Sequence, residues 1–82
     1  MAKGYDRDFR ELGGKYRKLR ERAGMVQEDV LEYGFSVRHY QQLEAGRPHS
    51  LTTLLRLADM FRVDPAELLQ GVHGYGRKKK PK

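Results

Sequence analysis

The chain contains no cysteine. Disulfides, thiolate metal sites and cysteine nucleophiles are therefore excluded, and the composition suits a reducing compartment. No apolar run approaches the ~20 residues that a membrane-spanning helix needs. The opening "MAKGYDRDF" lacks the apolar stretch of a secretory signal, so none is expected. No segment alternates polar and apolar residues as a half-buried strand would, and there is no internal repeat. Eighty-two residues allow one domain with a modest core. These absences leave a small, all-α, cytoplasmic chain as the expectation.

What is abundant is basic charge. The net charge of +6 suggests a polyanionic partner. Its distribution is uneven. "RKKKPK" at 77–82 holds five of the seventeen basic residues and no acid. The other 76 residues carry twelve basic and eleven acidic side chains. The body is nearly neutral, so a binding surface there must come from placement of charge. The terminal run has two readings, a solubilising end or a source of nonspecific, salt-sensitive phosphate affinity.

Five short helices follow from the pattern. Phe9, Leu12, Tyr16, Leu19 and Ala23 recur at helical steps over 9–23. Gly13 and Gly14 each cost about 1 kcal/mol against alanine, so this helix is expected to be firm only from about residue 12. Gly24 stands where a C-terminal glycine cap belongs. "VQEDVLEY" (26–33) reads as a second helix that ends at Gly34. Ser36 caps a third, to Glu44 or Ala45, and Gly46 stops it. Ser50 caps a fourth, with Leu51, Leu54, Leu55, Leu57, Ala58 and Phe61 as a broad apolar stripe. Asp64 caps a fifth, with Pro65 in its first position. The predicted organisation is an N-terminal arm (1–8), a helical domain (9–70) and a flexible basic tail (71–82).

The third helix carries the functional signal. At 3.6 residues per turn, Tyr40 and Leu43 face inward together. Val37, Arg38, Gln41 and Gln42 face outward, with His39 at one edge and Glu44 near the inner one. An outer face of this kind matches the major groove. Arginine holds guanine O6 and N7 with two bonds, glutamine holds adenine N6 and N7, and a small apolar group meets the thymine methyl. The face has no lysine and only one acid, Glu44. It follows a short helix and a glycine turn, the arrangement that presents a second helix to DNA.

The ordered pieces "KLRERAG", "QED", "GFS", "LEAGR", "SLTTLLRLADMF" and "DPAELL" resemble the lambda repressor/Cro-like (XRE-type) helix-turn-helix family over about residues 9–70. The resemblance implies a compact five-helix DNA-binding domain whose second and third helices form the motif. It also implies binding to operator DNA as a homodimer. By the same resemblance Val37, Arg38 and Gln42 read bases, with Gln41 beside them. Gln27, Ser36, His39, Arg47 and His49 meet phosphates, and Arg20 pairs with Glu44. The chain departs from the family in one place. Gln27 to Gly34 is seven steps where the family usually has eight, so Val30 or Leu31 fills the place of a small packed residue.

No separate dimerisation domain is visible, and Leu68, Leu69 and Val72 are the expected self-contact. His39, His49 and His73 are scattered over a helix, a loop and the tail without a cysteine to support them, so no metal or other cofactor is expected. Serines 36 and 50 read as caps, and the acids lie on exposed faces without an apolar pocket. No catalytic machinery is legible and the chain is not expected to be an enzyme. The expected function is a sequence-specific DNA-binding transcriptional regulator, repressing or autoregulating. The alternative is an adaptor or antitoxin-type module whose main partner is another protein.

Overall fold

A computed structural model describes residues 4–76. Among these residues there are helices and turns but no strand. The elements are α1 (Asp6–Arg22), a 3-10 segment (Gln27–Tyr33), α2 (Val37–Glu44), α3 (Leu51–Phe61), α4 (Pro65–Leu69) and a second 3-10 turn (Val72–Gly74). Among the described residues no helix is long and apolar enough to cross a membrane. The basic run at 77–82 lies outside the described residues.

The predicted caps appear where local chemistry demands them. Ser36 Oγ accepts the His39 N–H at 3.0 Å, and Ser50 Oγ accepts the Thr53 N–H at 3.1 Å. Asp64 accepts from the Ala66 N–H at 2.9 Å, with Pro65 opening α4. Gly24 and Gly46 adopt φ values of +73° and +101° after α1 and α2. Each lets the following N–H, of Met25 and Arg47, turn back to the carbonyl of Arg20 or Gln42 at 3.0 Å.

Four expectations need correction. First, α1 is continuous from Asp6 through both glycines, because Gly13 is used for packing. A side-chain carbon there would run into the backbone oxygens of Leu43 and Glu44, whereas Gly14 faces open space. Second, the predicted second helix is wound as 3-10. At about 2.0 Å rise per residue, seven residues cover about 14 Å, enough to span what eight α-helical residues would at about 1.5 Å each. Val30 rather than Leu31 points into the core. Third, Leu51 and Leu55 are exposed and Met60 is buried in their stead. Fourth, the stretch after Gln70 is docked before it reaches the basic run. Val72 is buried against the core, and His73 Nδ1 lies 2.9 Å from Asp8 of α1.

The core is centred on Tyr16, Val30, Tyr40, Leu43, Leu57 and Leu68, all fully buried. At about 1.5–3 kcal/mol for each large apolar side chain, this cluster is what fastens α2 and α4 to α1. The Tyr40 hydroxyl donates to the Tyr16 carbonyl at 3.3 Å, so the phenol at the centre does not stay unpaired.

Candidate nucleic-acid interface

α2 is the short helix that the sequence pattern singles out, and its anchoring explains how it can present polar groups outward. Tyr40 and Leu43 are at 0% exposure, so the inner face is fully committed to the core. At its C-terminal end the missing side chain of Gly13 lets α1 lie directly against the last carbonyls of α2. Beside that crossing, Arg20 grips Glu44 with both arms of its fork. Nε donates to Oε2 at 2.6 Å and Nη2 to Oε1 at 3.3 Å. The third nitrogen donates to the Met25 carbonyl at 3.0 Å.

The pair is well shielded from solvent. Burial works against the charged form of Glu44, but the hydrogen bonds it accepts from Arg20 and Gln27 outweigh it and hold the carboxyl below its ordinary range. A forked, multiply bonded pair of this kind fixes geometry better than a single-point ion pair.

The network then runs outward. Gln27 donates from Nε2 to Glu44 Oε1 at 3.2 Å, and Gln41 Nε2 donates to Gln27 Oε1 at 2.8 Å. Gln27 was expected at a phosphate and Gln41 at a base edge. The structure uses each as a link between the buried pair and the outer edge of α2, and one amide hydrogen of Gln27 remains for another acceptor.

Arg38 is exposed and Gln42 half-buried, and neither side chain bonds to any group among the described residues. Val37 sits at the rim, half-buried. Ser36 spends its oxygen as the α2 cap while its hydroxyl hydrogen stays available. His39 leans on Phe35, ring centroids 6.0 Å apart. Arg47 is exposed just past α2.

Three expected contacts are placed elsewhere. His49 points into the body. Its Nδ1–H must be the donor to the Arg47 carbonyl at 2.9 Å, which leaves Nε2 to accept the Tyr16 hydroxyl at 2.8 Å. The ring is edge-on to Phe9, with centroids 5.3 Å apart. Both nitrogens are thus engaged, and burial lowers its pKa and disfavours the cation, so it is not poised for a phosphate. Leu68 and Val72, expected at a self-contact, are inside the chain's own core because α4 and the following turn fold back onto α1. Leu69 is half-buried and lines an apolar groove of about 490 Å³ with Tyr5, Phe9, Leu12 and Tyr75.

Two arginines near α2 escaped the sequence reading. Arg10 packs against Gly46, just past the end of α2. Arg17 shares a surface recess with Gln27, Gln41 and Ala45 and reaches Glu21 at 3.4 Å. They are seven residues apart, hence on one stripe of α1. That spacing was visible in the sequence, but only the crossing at Gly13 shows that the stripe borders α2.

A family model described as a helix-turn-helix domain matches residues 11–70, and the chain belongs to that family. Comparison with curated proteins and with solved structures gives no match.

Proposed function

We propose, from this helix-turn-helix membership, that the chain is a sequence-specific DNA-binding transcriptional regulator that inserts α2 into the major groove. The observation that carries the reading is the pairing of Arg38 with Gln42. They stand one helical turn apart on the outer face, unengaged among the described residues, on a helix whose inner face is fully committed. Such side chains are suited to base edges. Ser36, Arg47, Arg10 and Arg17 surround them as phosphate contacts, and these set register and orientation. Gln27 and Gln41 hold the helix at its angle and reach the DNA from its edge.

One domain of this size covers little DNA. A homodimer on half-sites about 34 Å apart supplies the remaining affinity. With Leu68 and Val72 in the core, the self-contact falls to Leu69, Tyr5 and Tyr75 around the apolar groove. Repression or autoregulation is the expected outcome of occupying such an operator.

The test is selection from random-sequence DNA at two salt concentrations, followed by sequencing. A palindromic motif is the expected result, and Arg38→Ala should cost about 1–3 kcal/mol and relax one base position. Retention with no motif, lost on deleting 77–82, would reduce DNA binding to the basic run. That outcome would favour the protein-interaction reading, to which the near-neutral body already lends some weight.

A further inference from the structure

The two ends of α2 are held by different means. The C-terminal end is fixed by the Gly13 crossing and the Arg20–Glu44 fork. The N-terminal end, which carries Val37 and Arg38, follows a 3-10 segment with poorer hydrogen-bond geometry than an α-helix. The connection runs through Gly34 at φ +86° and then Phe35. Chain ends of this kind leave carbonyls without a helical partner, and an arginine from α3 takes them. Arg56 Nη2 donates to the Gly34 carbonyl at 3.1 Å and lies 3.5 Å from that of Tyr33. Its guanidinium also covers the Phe35 ring, 4.3 Å from the centroid. Phe35 in turn is buried and meets Tyr40 edge-on. One side chain thus joins α3, the turn and the root of α2.

We propose that Arg56 is a positioning residue for base reading. By gripping the turn carbonyls and the Phe35 face, it sets the angle at which α2 presents Arg38 and Gln42. The inference rests on the DNA-reading function above. The chemistry required is specific to arginine. A planar cation can lie on a ring while its edge donates to carbonyls, whereas a lysine ammonium is a point charge that cannot do both. Arg56 is also exposed, and an arginine simply touching a phosphate would be replaceable by lysine at little cost.

The experiment uses the full chain with Arg56→Lys and Arg56→Met, read in two ways. In DNA selection, both variants should lose about tenfold in the ratio of specific to nonspecific retention. Base preference should spread across the positions that α2 reads, and the salt dependence should stay that of the parent. In the DNA-free protein, amide hydrogen exchange at Phe35, His39 and Tyr40 should quicken about tenfold while α1 and α3 keep their protection. Two results overturn the proposal. If Arg56→Lys keeps the parent's preferences and only Arg56→Met weakens binding, with a shallower salt dependence, Arg56 is a phosphate contact. If exchange quickens equally in every helix and specificity is intact, its role is general stability. Should the parent itself select no motif, the DNA reading fails on its own, and the exchange measurement still decides whether Arg56 holds the root of α2.

Discussion

Arg20–Glu44 and His73–Asp8 both tie a later element to α1, the first near its C-terminal end and the second near its N-terminal end. The Arg20–Glu44 side chains retain 13% and 8% of their exposure and share bonds with Met25 and Gln27. His73 retains 69%, Asp8 14%, and one 2.9 Å contact joins them. A charge removed from water is costly unless every lone pair is met, so breaking a satisfied pair leaves the surviving partner stranded. A pair with one partner still largely in water, as His73 is, has less to lose. The first is thus suited to holding a helix at a fixed angle. The second is a light clip on a segment whose anchorage comes from burying Val72.

The comparison can be broken by substitution. Glu44→Ala should have the largest effect, about 3 kcal/mol, because it strands Arg20 and frees Gln27. Denaturant unfolding measures it, and a loss below about 1 kcal/mol would place the pair with exposed ones.

The neighbouring glycines give a paired test. Gly13→Ala should destabilise by about 1–3 kcal/mol through overpacking against α2 backbone. Gly14→Ala should stabilise by about 1 kcal/mol through helix propensity alone. Equal shifts in melting temperature would mean that the Gly13 crossing is not a close one.

His49 sharpens the comparison through pH. Its folded pKa lies below the ordinary 6.5 because burial disfavours the cation. The unfolded chain therefore binds more protons between the two values. Its contribution is complete above about 6.5 and fades as pH falls below it. Glu44, lowered from 4.5, adds a loss only at more acid pH. Melting temperature should drop between pH 7.5 and 5.5 in the parent and drop less in His49→Gln, and parallel profiles would exclude His49 as the cause. His73→Ala should be the smallest change, under about 1 kcal/mol. A larger one would show that the clip does more than its exposure suggests.

Much of this was legible in the sequence because it is local. Ser36, Ser50 and Asp64 cap helices through their own side chains, and Gly24, Gly34 and Gly46 turn the chain through positive φ. Neither depends on what packs nearby. The inward placement of Tyr40 and Leu43 followed from helical period. Misreadings clustered where a distant partner decides. Gly13 looked like a weak point until α2 was found against it. His49 looked like a phosphate contact in a loop until Tyr16 and Arg47 claimed both its nitrogens. Leu51 and Leu55 fit the apolar stripe but fall outside the face that α3 buries.

By itself the sequence determined an all-helical chain of the helix-turn-helix family, the positions of its stops, and a helix with Arg38 and Gln42 on its outer side. Repeating apolar spacing and capping chemistry act within a few residues, so they are written in the order of the residues. Only the tertiary structure decided that Gln27 and Gln41 link the outer edge to a buried ion pair, that Arg56 reaches the turn, and that Val72 returns to α1. These contacts join groups 14 to dozens of residues apart in sequence. Their existence depends on how the helices cross, and that is set by the packing of the whole core.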